Sequence, residues 1–359
     1  MLNRLLLIIF LLSLAHYYLG AQSGGKAIYE FIEVPATART AALGGDAVAI
    51  NDSDLALVIE NPALLKASMH QDISINYFNY LSDINAGYLA YAHNLKKVGT
   101  VGFGLQFINY GKFIEADITG ERLNEFSAGD YLIHGSYAKK LHSFFTLGVT
   151  TKFIYSSYYG INSIGIAGDL SGIYNSNNKQ TSAAIIIKNI GMQVTSYNGE
   201  EKGKLPFEIQ AGIAQRLSKA PLRLSLIWKN MQTWDLTYRT SNDPPLEIDP
   251  LTGKVKKNTF TFDNIMRHIN LGVEFIPSKN FHLRFGYNFQ RRQELKLVSG
   301  GVTAGGSRSG LSGLSFGIGI IVKKIQINYA LASYHFSQSS HHFSISTNLS
   351  QFVKISEKN

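Results

Sequence analysis

The feature that most restricts this chain is a period-two alternation of apolar and polar residues, sustained for about nine or ten residues at a time. Ile269, Leu271, Val273 and Phe275 alternate with His268, Asn270, Gly272 and Glu274. After Pro277-Ser278-Lys279-Asn280, the residues Phe281, Leu283, Phe285, Tyr287 and Phe289 alternate with His282, Arg284, Gly286 and Asn288. Successive side chains of a strand point to opposite faces, so each strand has one apolar face and one polar face. A soluble antiparallel sheet satisfies this with its apolar face on a core. A transmembrane barrel satisfies it with the faces exchanged, apolar to lipid and polar to a lumen. Strands of this length are long for a soluble sheet and suit a tilted bilayer crossing.

The same pattern recurs in about fourteen segments, an even number as in bacterial barrels. They lie near 71–80, 85–94, 98–110, 127–139, 143–156, 162–174, 181–190, 207–217, 221–231, 267–276, 280–289, 313–322, 325–335 and 341–350. Short connections (94–97, 139–142, 175–180, 218–220, 277–280, 323–324) trade places with long ones around 112–126, 191–206, 232–266 and 290–312. Periplasmic turns and extracellular loops of outer-membrane barrels sort in this way. Tyr80, Tyr110, Tyr155, Tyr158, Tyr159, Trp234, Phe289, Tyr334 and Phe336 gather where odd strands meet the outer loops, as a headgroup belt would. Only 16% of residues are charged, against roughly 25% in soluble domains, and glycine reaches 33. The fold class expected is all-β: a transmembrane antiparallel β-barrel of about fourteen strands with a small helical plug.

Residues 1–21 read as a signal peptide, with Arg4, an apolar run from Leu5 to Leu14, and Leu19-Gly20-Ala21 before Gln22. No later run is long and apolar enough for a spanning helix. Residues 22–70 differ in kind from the strands: Ala36 to Leu43 reads as a short helix stopped by Gly44-Gly45, and Asn61 caps a turn opened by Pro62 and Ala63. A fourteen-strand barrel with inward glycines (Gly102, Gly104, Gly148, Gly317, Gly319) has room for this segment as a plug. Residues 71–350 form the barrel and 351–359 a tail. The net charge of +9 has no concentrated basic stripe, so anionic lipid or lipopolysaccharide, and not nucleic acid, is the expected counter-charge. Cysteine is absent, which removes disulfide and thiolate chemistry.

Two stretches carry a family likeness. The run from Pro35 to Gly45, Asn51-Asp52, and Glu60-Asn61-Pro62-Ala63-Leu64 resemble the N-terminal signature of the PorV/PorQ family, which is related to the FadL long-chain fatty-acid transporters. The resemblance continues through Asn76-Tyr77, Tyr110 to Phe113, Lys152 to Ser156, Lys188 to Gly191 and Lys204 to Phe207, and is nearer the PorQ side of the family. It implies a FadL-like barrel in the outer membrane of a Bacteroidota-type bacterium, with long loops extracellular and both termini periplasmic. It further implies a non-enzymatic part of the type IX secretion system. There the barrel anchors a PorZ-like surface protein beside a PorU-like sortase and a PorV-like barrel, in an attachment complex that fixes exported proteins to lipopolysaccharide. The alternative is a FadL-like transporter of small hydrophobic molecules.

No catalytic, cofactor or metal site is expected. Ser136-Tyr-Ala-Lys139 has the S-x-x-K spacing of penicillin-binding enzymes but no K-T-G partner, and it lies on a strand where those enzymes place a helix. Asp46, Asn51, Asp52, Asp54 and Glu60 are oxygen donors in one stretch, yet they match no calcium loop and read as caps and turns. His341 and His342 fall on opposite strand faces. Arg291, Arg292, Lys296 and Arg308 in one long loop, with Lys254, Lys256 and Lys257 in the other, are candidate contacts for a partner or for lipopolysaccharide phosphate.

Overall fold

The computed structural model describes residues 27–81, 83–199, 201–236, 261–294, 311–334 and 338–352. Residues 1–26, which include the expected signal peptide, and 353–359 of the expected tail lie outside them. The first seven strands are β1 (Asp72–Leu81), β2 (Ile84–Leu95), β3 (Gly99–Ala116), β4 (Arg122–His142), β5 (Phe145–Tyr158), β6 (Ile161–Asn175) and β7 (Thr181–Thr195). The rest are β8 (Glu208–Arg216), β9 (Leu222–Trp228), β10 (Ile269–Ser278), β11 (Phe281–Asn288), β12 (Leu314–Val322), β13 (Ile325–Ala332) and β14 (Ser340–Asn348). Each pairs antiparallel with its sequence neighbours, and β1 closes on β14 from Asp72↔Asn348 to Asn79↔His341. The result is a closed fourteen-strand barrel, each strand meeting one of the alternating segments.

The two faces separate as a membrane barrel requires. Ile75, Tyr77, Phe103, Leu105, Ile133, Phe153, Ile185, Leu224, Phe285, Ile327, Phe343 and Ile345 are exposed on the outer wall. Ser74, Asn76, Gln106, Ser171, Gln210, Asn270, Asn328 and Ser344 are buried inside. The inversion of the soluble pattern is stable only in lipid, because the outward residues have no protein partner and water would not favour them.

Residues 27–71 occupy the interior. The segment makes 3-10 turns at Glu30–Glu33, Leu55–Leu57, Pro62–Leu64 and Ala67–Met69, and a short helix at Ala38–Ala42. Thr37 caps that helix through the Thr40 amide, and Asp54 and Asn61 cap the turns that follow them. These polar residues are thus used up locally. The segment reaches much of the wall: the Ala38 amide donates to Ser344 Oγ of β14 at 2.9 Å, the Gly44 amide to Ser315 Oγ of β12 at 3.0 Å, and the Ala63 amide to Ser171 Oγ of β6 at 3.2 Å. Inward glycines give it space, for a Cβ at Gly148 would lie 2.2 Å from the Ala63 nitrogen.

Three sequence expectations are corrected. The long connection around 112–126 is a hairpin: β3 and β4 stay paired beyond the wall to Ala116↔Arg122, helped by Phe113 stacked on Phe126 at 5.3 Å. The alternation of short and long connections is therefore not strict. Secondly, Tyr110, Tyr158 and Tyr334 do not form a headgroup belt. Tyr110 and Tyr158 share strand parity with the inward Ile108 and Ser156, and their hydroxyls meet Asp130 inside. Thirdly, the two ends of the described chain do not share one end of the barrel. Ala27 bridges to Lys204 at the long-loop end, whereas Gln351 meets Lys324 in a short turn at the other. The segment thus runs the length of the lumen before entering β1.

Gly44 has φ +90°, and a Cβ there would lie 2.0 Å from Asn270 Oδ1. Gly44→Ala is expected to destabilise the folded barrel by about 1–3 kcal/mol from the left-handed backbone and the clash. The check is a lowered temperature of the folded-to-unfolded band shift in unboiled gels.

Candidate functional site

The lumen divides into a charged side and an apolar side. On the charged side, Arg39 of the helix Ala38–Ala42 forms two-toothed pairs with Glu274 of β10 (3.0 and 3.0 Å) and with Asp52 (2.9 and 2.6 Å), and reaches Asp54 at 2.9 Å. Arg223 of β9 bonds Asp52 at 2.7 Å and Glu274 at 2.6 Å, and Arg284 of β11 bonds Glu274 at 2.9 Å. Three guanidiniums and three carboxylates balance. Burial alone would lower the Arg39 pKa, but Asp52, Glu274 and Asp54 hold it well above its usual value. Burial would likewise raise Asp52, but Arg39 and Arg223 outweigh that and hold it below the usual carboxylate range. Planar guanidinium suits such paired bonds better than a lysine ammonium.

A second charged set lies nearer the long-loop end. Asp46 pairs with Lys229 at 3.0 Å, Glu60 with Lys188 at 3.0 Å, and Lys152 with Asp169 at 2.8 Å. The cavity among Glu33, Lys188, Glu208 and Lys229 holds only about 20 Å³, room for one water. Beside it the wall ladder stops. The last pair of β7 and β8 is Lys188↔Glu208, while β7 continues to Thr195 with ladder pairing to β6 alone. Asn189, at φ +59°, turns the strand there; its side-chain amide donates to the Pro206 carbonyl at 2.8 Å.

The apolar side begins at the long-loop end. A cavity of about 300 Å³ opens among Tyr29, Phe31, Tyr110, Asp130, Tyr158 and Tyr197. Below it Phe31 packs with inward Phe78, Ile108, Leu132 and Ile154 from β1, β3, β4 and β5, and with Leu205 next to the ladder break. Inward apolar residues on a barrel wall depart from the apolar-out rule. The sequence signal for them was present: Ile108, Leu132 and Ile154 sit at the inward parity of strands whose other inward residues are polar, glycine, alanine or tyrosine.

The expected plug residues Asn61, Pro62, Ala63, Gly44 and Gly45 all touch the wall or each other's turns. Asn61 accepts from the Ala63 amide at 2.9 Å and donates to the Val48 carbonyl at 2.7 Å, and Gly45 faces Arg291. Of the candidate partner contacts, Arg291 folds inward over the Tyr334 ring at 4.1 Å, and Arg292 reaches the Ser312 carbonyl at 3.5 Å. Lys254, Lys256, Lys257, Lys296 and Arg308 lie outside the described residues. Asp46, Asp52, Asp54 and Glu60 are ion-pair members. Ser136 is buried and bonded to Thr150 at 2.9 Å, while Lys139 is exposed on the other face, so the S-x-x-K pair does not converge. Among the described residues no three metal-binding side chains cluster.

No family model matches the chain, and no curated protein sequence does. Solved barrels do match. A TodX monoaromatic hydrocarbon channel, deltaS2 mutant, is 12% identical over 88% of this chain and 97% of its own, with a TM-score of 0.50. The toluene transporter TodX of Pseudomonas putida is 12% identical over 86% and 95%, with a TM-score of 0.49. A FadL homologue of Pseudomonas aeruginosa is 10% identical over 87% and 98%, with a TM-score of 0.42. The likeness to the TodX deltaS2 mutant shows the fold alone: the chain is a closed fourteen-strand antiparallel β-barrel of comparable build.

Arg39→Ala leaves Glu274, Asp52 and Asp54 without their shared guanidinium, an expected loss of about 3 kcal/mol or more. Limited proteolysis is expected to cut the N-terminal segment while the strands resist. The pH sign follows from Asp52, whose folded pKa is depressed. Its contribution is full above the unfolded value of about 4 and is lost as pH falls through the lower folded value. Protease protection of the segment is therefore expected to be flat from pH 8 to 5 and to fall only below about pH 4.

Proposed function

We propose that this barrel admits small, largely apolar molecules at the long-loop end and releases them sideways at the break between β7 and β8. The carrying observation is the continuous apolar strip from the 300 Å³ cavity, along Phe31, Ile108 and Ile154, to Leu205. A lateral exit just beyond the Lys188↔Glu208 pair, on the Leu205 side, spares an apolar passenger the Arg39 network, whose members would desolvate at a cost. Residues 27–34 stand across the path and act as its stopper; the Arg39 network fixes the rest of the segment. The barrel of fold comparable to this one is described as a monoaromatic hydrocarbon channel, which agrees with the proposal though fold alone does not decide function. No catalytic step is assigned, and the long loops are taken to face outside.

The test is uptake of labelled toluene by cells with a lipopolysaccharide outer membrane. Expression of the barrel is expected to speed uptake several-fold, and Phe31→Asp, placing a charge in the strip, to abolish the gain with the barrel still folded. Uptake equal to that of cells without the protein would refute passage.

A second reading is favoured by the PorV/PorQ resemblance and by the ion-paired segment, which makes the barrel a filled platform. Here the chain anchors a PorZ-like surface protein in a type IX attachment complex, with a PorU-like sortase, a PorV-like barrel and lipopolysaccharide nearby. Mild-detergent pull-down from the native outer membrane separates the two. Near-equal recovery of a large surface protein supports the anchor; a solitary barrel carrying an apolar compound supports transport.

A further inference from the structure

Asp130 is held in the interior by hydroxyl groups and lines an aromatic cavity. It is 1% exposed, and its carboxylate accepts from the Tyr110 hydroxyl at 2.6 Å, from the Tyr158 hydroxyl at 2.8 and 2.7 Å, and from Ser156 Oγ. No lysine, arginine or histidine pairs with it among the described residues. Of six other buried carboxylates, five meet a cation: Asp46 meets Lys229, Asp54 meets Arg39, Glu60 meets Lys188, Asp169 meets Lys152, and Glu274 meets three arginines; the sixth, Glu208, accepts from Gln210 and Asn230 and shares a small cavity with Lys188 and Lys229. Hydroxyl donors satisfy the lone pairs of Asp130 and leave its charge uncompensated, which a water-excluded site tolerates poorly.

The surroundings of that charge are rings. Tyr110 and Tyr158 lie with centroids 6.0 Å apart, Tyr158 and Tyr197 5.6 Å apart, and Tyr29 and Phe31 close the 300 Å³ cavity from the N-terminal segment. Glu30 adds a second carboxylate to the lining and no basic residue does. Tyrosine rings lining a cavity that also holds a buried carboxylate attract a positive charge whose own shell is apolar. A sodium or calcium ion would want several direct oxygen ligands, and the Asp130 oxygens are already engaged by hydroxyls. An organic ammonium needs only faces and field.

We propose that the aromatic cup of Tyr29, Tyr110, Tyr158 and Tyr197 over Asp130 is a binding site for small organic ammonium ions carrying an aromatic or aliphatic body. The ammonium head supplies the counter-charge of Asp130, and the body lies on Phe31 toward the apolar strip. This rests on the cup being the admission site of the proposed transport, and it adds amphipathic cations to the neutral apolar passengers. Binding and passage are read by different measurements, so either can fail alone.

The test is a calorimetric titration of the full barrel in detergent with benzyltrimethylammonium and with neopentylbenzene, its neutral isostere. The cation is expected to bind at least tenfold more tightly than the isostere. Asp130→Asn, which keeps an acceptor for the tyrosine hydroxyls, is expected to erase that preference. Tyr197→Leu, at a half-exposed position on the connection after β7, removes one ring and is expected to weaken the cation several-fold; it serves should Asp130→Asn fail to fold. Equal or tighter binding of neopentylbenzene would overturn the inference and leave an apolar cup consistent with transport. Failure of both ligands to bind would overturn the inference and remove the cup from the transport path. Cation binding with no toluene uptake would uphold the site and refute passage.

Discussion

A barrel of fourteen strands encloses more space than its own side chains fill, and this one fills it with charge held against charge. Arg39 is where that constraint is met. Its guanidinium joins the interior segment to β10 through Glu274 and to the segment's own later turn through Asp52 and Asp54. Arg223 and Arg284 brace Glu274 from the neighbouring strands. Removing one partner from such a set costs more than the set contributes as a whole, because the remaining charges stay buried. The position of the helix Ala38–Ala42, and with it the close fits at Gly44 and Gly148, depends on this network.

The network also divides the lumen. The ion pairs gather mostly on β7 to β11, where Ile186 and Ile227 still pack on Val48, while Phe78, Ile108, Leu132 and Ile154 on β1 to β5 face inward without polar work. Residues 27–34 lie on the apolar side, whereas the later part is fastened by the Arg39 network and by packing against β2, β4, β5 and β6. Two ends of one segment thus differ in how firmly they are held. On the proposed transport reading, that difference lets residues 27–34 move while the rest stays in place.

Much of the fold was legible because a strand's two faces differ chemically. The hairpin 268–289 alone shows the alternation, and repetition of it fixed the strand number. What parity did not reveal came from side chains read for abundance and not for direction. Tyr110 and Tyr158 look like belt residues by position, yet the inward parity of Ile108 and Ser156 assigns them to the lumen. The hairpin at 112–126 was hidden because its residues alternate weakly and its turn is set locally, by Asp117 accepting from the Thr119 and Glu121 amides. The cluster around Arg39 was not legible at all. Arg39 and Glu274 alone are 235 residues apart along the chain, and only barrel closure brings the members together. The acidic stretch 46–60 was seen, but its partners on β7, β9 and β10, and Lys229 beyond β9, were not.

The central claim is that the interior segment has a loose upper part and a fixed lower part. Amide hydrogen exchange on the barrel in lipid nanodiscs tests it directly, since exchange reports the free energy of local opening. The expected result is that amides of residues 28–34 exchange at least a hundredfold faster than those of Ala41, Leu43 and Leu64. Uniform slow exchange across the whole segment would contradict it, leaving a barrel sealed from end to end.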